Sequence, residues 1–121
     1  MLVLGIALAG ALGAPTRYLV DRVIVVRADA GLPPGTLVIN VTGSFVLGVL
    51  TGLALYHAFP STPKTIVGTG FCGAYTTFST FSYEVVRLAE RGAMRSAVRT
   101  LLASLALPAL AAALGLALAA L

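Results

Sequence analysis

The chain has 121 residues, of which 59% are hydrophobic and 10% are charged, and its formal net charge is +4. Its mean hydropathy of +1.01 excludes an ordinary soluble globular domain. The charged residues fall in two clusters with one lysine between them, and they leave four charge-free stretches. This pattern predicts an all-α membrane protein with four transmembrane helices. Because the arginines lie at segment ends, as loop anchors do, we expect no nucleic-acid partner.

Four apolar segments are predicted within a single domain, at about 2–26, 35–59, 64–89 and 94–121. Gly31 and two prolines predict a loop at Arg27–Pro34, and Pro60 and Pro63 predict the next one. Arg17 lies within or beside the first apolar stretch. An arginine at such a place either extends to the membrane interface or faces protein or water.

The second segment carries Asn40, Ser44, Gly48 and Gly52 at four-residue spacing, which places them on nearly one face of a helix. The two glycines form a small-residue ridge that allows another helix to approach closely. A mid-membrane asparagine needs hydrogen-bond partners. Asn40 therefore either joins two helices or donates from its amide to a bound anion, and the residues alone favour the first role.

The third segment is a poor lipid-facing helix. Between Lys64 and Glu84 lie 19 uncharged residues, which at 1.5 Å per residue would cross a hydrocarbon core of about 30 Å. Its sequence GTGFCGAYTTFSTFSYE places three glycines before a run of hydroxyl side chains with two phenylalanines among them. Glycine permits unusual backbone angles, and hydroxyls satisfy backbone groups that an interrupted helix releases. We expect the helix to break between about Gly73 and Thr77 and to line a small polar path.

Three isolated residues have simple interpretations. His57, the one histidine, is predicted to cap the second segment at the interface, because no second histidine exists to share a metal. Cys72, the one cysteine, excludes an internal disulfide and a cysteine metal cluster and is interpreted as a small packing residue. Glu84 either pairs with Arg87 or Arg91 at the interface or ends a polar track.

The runs GFCGAYTTFSTFSYE and GTLVINVTGSFVLG, with GALGAPTRYL in the first segment, closely resemble the signature of Fluc-type fluoride channels, the CrcB family. The resemblance covers nearly the whole chain. It implies a fluoride-selective channel in the cell membrane, which is not an enzyme and which conducts passively through a narrow pore. It further implies a third helix broken mid-membrane and an antiparallel dual-topology dimer, formed with a second copy of the chain and containing two pores.

The resemblance also implies the roles of individual residues. It places on the anion path Asn40, Thr77, Phe78, Ser79, Thr80, Phe81, Glu84 and Ser104, with Arg17 at a vestibule. It implies a structural Na⁺ at the dimer interface, held by the backbone carbonyls of Gly73 and Thr76. Family members often carry a tyrosine on the fourth helix, and this chain has none there; Thr100 and Ser104 are the available substitutes.

These residue types suit an anion path without identifying the anion. Hydroxyl and amide groups supply donors, and the edge of a phenyl ring is electropositive. A small multidrug-resistance antiporter has a similar length and helix number, but it needs a carboxylate in the first helix, where this chain has Arg17 and no acid before Asp21. A structural membrane subunit would explain the glycine ridge and leave the hydroxyl run without a role.

The arginines are unevenly distributed about the predicted crossings. One side of the membrane would carry Arg22, Arg27, Arg87, Arg91, Arg95 and Arg99, and the other only Lys64 and the terminal amine. Positive residues favour the cytoplasm, so this bias predicts a single orientation. A related, oppositely oriented subunit is therefore the alternative to a second copy as the dimer partner.

Overall fold

The computed structural model describes residues 1–27 and 34–121, and these residues form helices and short connections without a strand. The helices are α1 (Leu2–Arg27), α2 (Pro34–Tyr56), α3 (Ser61–Thr65), a π-helix (Ile66–Cys72), α4 (Gly73–Tyr75), α5 (Ser79–Glu90) and α6 (Met94–Leu118). The expected all-helical architecture is confirmed for these residues. The loop predicted at Arg27–Pro34 falls on residues 28–33, which lie outside the described residues.

Three helices are long and apolar enough to cross a membrane, Leu2–Val25, Gly35–Tyr56 and Met94–Leu118. Large apolar side chains are exposed along all three, as a lipid environment requires. The third predicted segment is not among them, because its helices are interrupted after Tyr75. The chain is a multi-pass membrane protein.

Helices α2 and α6 pack closely and run parallel. Gly48 lies against the backbone of Ala112, and four residues further on Gly52 lies against Leu116. A Cβ added at Gly52 would be 2.9 Å from the Leu116 carbonyl oxygen, so glycine is what allows this approach. Since α2 and α6 point the same way, the chain crosses back between them.

Helix α1 lies in the same manner along residues 61–75. Gly5 faces Ile66, and Gly13 faces Phe71 and Ala74, so these two helical stretches are also parallel. Gly43 faces Tyr75 and Gly68 faces Leu47, so residues 61–75 run antiparallel to α2. Together with the two parallel pairs, this contact gives chain directions that alternate from α1 to α2, through residues 61–75 and on to α6.

The π-helix is where the structure departs from what the glycines predict. Gly68 and Gly70 do not adopt unusual backbone angles, and Gly73 is itself helical at φ −63° and ψ −36°. Their role is close packing instead: a Cβ at Gly70 would lie 2.7 Å from the carbonyl oxygen of Ile6. The helix continues past all three glycines and ends at Tyr75.

Candidate functional site

The backbone between α4 and α5, residues 76–78, is held by a side chain of α2. Thr76 is extended at φ −77° and ψ 160°. The N–H of Thr77 donates to Oδ1 of Asn40 at 2.8 Å, and Nδ2 of Asn40 donates to the Thr77 carbonyl oxygen at 2.8 Å. One amide thus replaces two hydrogen bonds that a continuous helix would have made. The interruption is a defined conformation, because both of its polar backbone groups at Thr77 are satisfied.

The hydroxyl of Thr77 organises the start of α5. Its Oγ1 lies 2.9 Å from Oγ1 of Thr80 and 3.3 Å from Oγ of Ser79. It also accepts a hydrogen bond of 3.3 Å from the backbone N–H of Thr80, a first-turn donor without a helical partner. Three of the predicted path residues therefore form one hydroxyl cluster.

Phe78 and Phe81 form an edge-to-face pair at this interruption. Their ring centroids are 4.8 Å apart and the ring planes meet at 78°. Phe81 is 4% exposed, whereas Phe78 is 72% exposed. The two rings therefore differ in surroundings, although the sequence gives them the same neighbours. The packed ring is held in one orientation, and the exposed ring lies at the surface of the chain.

A groove of about 240 Å³ opens beside this pair. The residues that line it are Asn40, Ser44, Thr76, Thr77, Phe78, Phe81, Ser104, Leu105 and Pro108. None of these side chains is charged. Within the described residues, the hydroxyls of Ser44 and Ser104 have no hydrogen-bond partner, while the Thr76 hydroxyl donates to the Cys72 carbonyl oxygen at 2.8 Å. The groove therefore presents two free hydroxyl groups and one phenyl pair.

Ser44 is the groove residue that the sequence analysis did not assign to the path. Its position in the sequence could have indicated this, since Ser44 follows Asn40 by one helical turn on the same face of α2. The sequence predicts a packing ridge on that face. The structure divides it: Asn40 and Ser44 line the groove, and Gly48 and Gly52 pack against α6.

Arg17, Thr80, Ser79 and Glu84 do not line the groove. Arg17 and Thr80 border a second cavity of about 220 Å³, which Thr77 also lines. Nη1 of Arg17 donates to the Thr76 carbonyl oxygen at 3.4 Å. The arginine therefore reaches the interrupted backbone from a cavity other than the groove.

Glu84 is joined to α2. Its Oε1 accepts a hydrogen bond of 3.2 Å from Oγ1 of Thr36, a residue 4% exposed. Nη1 of Arg87 instead donates to the hydroxyl of Tyr83 at 3.1 Å, and the guanidinium lies 5.6 Å from that ring centroid. The interface ion pair considered for Glu84 is not the arrangement the structure shows.

Two other residues occupy the places expected of them. His57 lies at the end of α2, and its Nε2 is 2.8 Å from the carbonyl oxygen of Ala119 at the end of α6. Cys72 is buried within the π-helix and is a free thiol. Neither residue is among those that line the groove.

The donor set proposed for Na⁺ can be tested against the backbone. Because the Thr77 N–H turns to Asn40, no N–H of the described chain bonds to the carbonyl oxygen of Gly73. That oxygen is available and of the kind a hard cation prefers. The Thr76 carbonyl oxygen already receives the long contact from Arg17. The Gly73 oxygen would therefore be free to accept a cation, whereas the Thr76 oxygen would share it with the guanidinium of Arg17.

Comparison with known proteins identifies the chain's relatives. Residues 4–116 match the family described as "CrcB-like protein, Camphor Resistance (CrcB)". The chain belongs to the CrcB family. A CrcB-family relative named fluoride-specific ion channel FluC 1, from Leifsonia xyli, is 52% identical over 116 residues, covering 96% of this chain and 85% of its own.

Relatives from two other organisms, with lower sequence identity, have similar names. A protein named fluoride-specific ion channel FluC from Methanocaldococcus jannaschii is 45% identical over 97 residues, covering 80% of this chain and 77% of its own. One named fluoride-specific ion channel FluC 2 from Mycobacterium tuberculosis is 45% identical over 112 residues, covering 93% of this chain and 86% of its own. The CrcB family likeness thus spans nearly the full length of the chain.

Proposed function

We propose that this chain forms a fluoride-specific ion channel in the cell membrane, conducting passively and performing no enzymatic reaction. Relatives that are 45–52% identical carry that name. The observation that carries the proposal is the uncharged groove, in which the free hydroxyls of Ser44 and Ser104 lie beside an edge-to-face phenyl pair. The names of these relatives describe an ion channel, which is not an enzyme.

The groove residues suit a small, strongly hydrated anion. Such an ion gives up water only where several donors replace it at once, and hydroxyl groups supply them. Asn40 uses one N–H of Nδ2 to hold Thr77, and its second N–H is free to donate. Phe81 contributes an electropositive ring edge in a fixed orientation. The fluoride ion would pass these groups in turn, with Thr77, Ser79 and Thr80 as the next donors and Glu84 at the end of the track.

The pore requires a partner. The groove is open on the surface of one chain, and Phe78 at its rim is 72% exposed. A polar groove facing lipid is unfavourable, so a second chain would close it. We propose an antiparallel, dual-topology dimer with a third helix broken mid-membrane in each subunit. The two-fold symmetry of such a dimer gives two equivalent pores.

Na⁺ would be held between the subunits by the carbonyl oxygens of Gly73 and Thr76 from each chain. The available Gly73 oxygen supports this assignment. The ion would supply positive charge that fixes the two interrupted backbones against each other. In this chain Arg17 supplies a further positive charge at Thr76, which orients that carbonyl group with or without the ion.

The function is tested by ion efflux from liposomes that contain the purified protein. We expect fluoride efflux well above that of protein-free liposomes, and chloride efflux at the protein-free level. Equal efflux of both ions, or none of either, would contradict the proposal. Ser44→Ala is the first variant to measure, with Thr51→Ala as its matched control, because the Thr51 hydroxyl is engaged with the Leu47 carbonyl oxygen at 2.8 Å.

The dimer partner is tested by cysteine accessibility. Ser61→Cys on a Cys72→Ser background places one thiol at the exposed first residue of α3. Labelling of intact cells from both sides of the membrane supports two copies of this chain. Labelling from one side shows a single orientation, as the arginine bias favours. In that case a related chain of opposite orientation is the partner.

A further inference from the structure

Two buried polar atoms have no hydrogen-bond partner within the described part of the chain, Oε2 of Glu84 and Oγ1 of Thr100. Thr100 is 2% exposed. Threonines in helices commonly donate to the carbonyl oxygen four residues earlier, as Thr51 does at 2.8 Å. The Thr100 hydroxyl does not, although burial of an unpaired hydroxyl is unfavourable. Both atoms therefore require a partner.

The helix register places these two atoms in the same layer of the protein. Asn40 and Ser104 line the same groove, and α2 and α6 run parallel and in step beyond them. One turn back from Asn40 is Thr36, and one turn back from Ser104 is Thr100. The two threonines are therefore neighbours across the α2–α6 contact.

Glu84 enters this layer from α5. Its Oε1 is fixed by the Thr36 hydroxyl at 3.2 Å, and α5 packs against α6. Its second oxygen, Oε2, is buried without a hydrogen-bond partner among the described residues, and so is Oγ1 of Thr100. A carboxylate oxygen accepts hydrogen bonds and a hydroxyl both donates and accepts, so the two atoms are complementary to one small molecule between them.

We propose that Glu84 and Thr100 hold one buried water molecule between them. The water donates one hydrogen to Oε2 of Glu84 and bonds through its oxygen or its second hydrogen to Oγ1 of Thr100. Buried waters typically make about three such bonds, and the Thr36 hydroxyl supplies a third group within the layer. Glu84 is then held at both oxygens, directly by Thr36 and through the water by Thr100.

Thr100 is by this assignment a positioning residue. It touches the carboxyl group only through the water and fixes the direction in which Glu84 presents that group, one turn from Ser104 at the groove. The water site follows from the buried atoms alone. Its effect on conduction rests on the proposed function, so the two are measured separately.

The water site is tested by infrared spectroscopy of the detergent-solubilised protein without fluoride. The chain has two glutamates, so Glu90→Gln with side-chain ¹³C-labelled glutamate leaves Glu84 as the labelled carboxyl group. Thr100→Val removes the hydroxyl and keeps the branched shape, and Thr100→Ser keeps the hydroxyl. We expect Thr100→Val to shift the Glu84 carboxyl band and lower the melting temperature. Thr100→Ser should leave the band in place.

A different result overturns the site. If the Thr100 hydroxyl has no partner in the protein, its removal relieves an unfavourable burial and Thr100→Val raises the melting temperature with the Glu84 band unmoved. Thr51→Val is the matched control, a lost hydroxyl remote from Glu84 that should not move the band.

The positioning role is tested by fluoride efflux. We expect Thr100→Val to slow efflux about tenfold, the equivalent of one lost hydrogen bond, and Thr100→Ser to restore it. Wild-type efflux from Thr100→Val, with a shifted Glu84 band, would overturn the positioning role. If the wild-type protein carries no fluoride, the proposed function fails while the infrared result still decides the water site.

Discussion

The α2–α6 contact and the interruption at residues 76–78 are built by opposite means. Between α2 and α6, Gly48 and Gly52 bring backbone against backbone. At the interruption, the side chain of Asn40 makes two hydrogen bonds of 2.8 Å to Thr77. In lipid, apolar side chains gain little by associating, so close packing of small residues joins helices, and every freed backbone group needs a polar partner. The first region therefore supplies stability, and the second supplies the polar surface.

The largest effect is expected when a side chain is added to a glycine in the α2–α6 contact. Gly48→Ala places a methyl group against the backbone of Ala112, which cannot move aside as a side chain would. We expect a loss of at least about 1–3 kcal/mol and little folded protein. Thermal unfolding in detergent measures it.

Gly10→Ala is the matched control. A Cβ there would meet atoms no closer than 3.6 Å, an ordinary contact. The helix propensity of alanine should then stabilise the protein by up to about 1 kcal/mol. Equal melting temperatures for the two variants would show that the α2–α6 approach is not as close as described.

The second test removes the polar partner of the interruption and leaves the glycine contact intact. Asn40→Asp retains the acceptor for the Thr77 N–H, loses the donor to the Thr77 carbonyl oxygen and adds a negative charge beside the groove. We expect fluoride efflux to fall by about a hundredfold, the equivalent of the lost hydrogen bond to Thr77 and of the lost second N–H donor, while the protein still purifies as the proposed dimer. Thr51→Val on the same helix should conduct normally; efflux from Asn40→Asp at the wild-type rate would reduce Asn40 to a helix-joining residue.

Substitutions in the phenyl pair are expected to have an intermediate effect on efflux. Comparing the two positions distinguishes a loss of packing from a loss of conduction. Phe81→Ile and Phe78→Ile both remove a ring edge and conserve much of the apolar volume. We expect each to slow fluoride efflux about tenfold or more, and only Phe81→Ile, the buried position, to lower the melting temperature by several degrees. Wild-type efflux in both variants would remove the rings from the anion path.

The smallest effect is expected at the edge of the hydroxyl cluster. Ser79 is exposed and makes one weak contact of 3.3 Å with Thr77. Ser79→Ala should change fluoride efflux by no more than about twofold. Thr77→Val, which removes three contacts of the same cluster, should be far slower, and similar rates for the two would show that the cluster does not act through Thr77.

The all-helical fold was predictable because hydropathy and charge placement mark the segments directly. The grouping of Asn40 with Thr77 and the phenyl pair follows from the motifs, and the structure brings these residues together. The positions of Arg17 and Glu84 were not predictable in detail. Each depends on tertiary contacts, to Thr76 and to Thr36, that no local spacing encodes.

The role of the glycines was not predictable for a similar reason. Glycine in a sequence signals either unusual backbone angles or close approach, and only the neighbouring helix decides which. Gly70 meets the backbone of Ile6, so close approach applies there. The helix ends instead where the Thr77 backbone finds its partner in Asn40, a residue 37 positions earlier in the chain.

The π-helix makes the length of the third segment adjustable. At its end the N–H of Gly73 donates to the carbonyl oxygen of Gly68, five residues earlier. This stretch therefore contains one more residue than an α-helix that turns through the same angle. Deleting one residue from Ile66–Cys72 would let an ordinary α-helix form with the residues on either side still facing their present neighbours. Winding the full-length stretch as an α-helix would instead turn Thr76 and Thr77 by about 100° away from α2. The alignment of Thr77 with Asn40 is therefore set by the number of residues in the π-helix upstream.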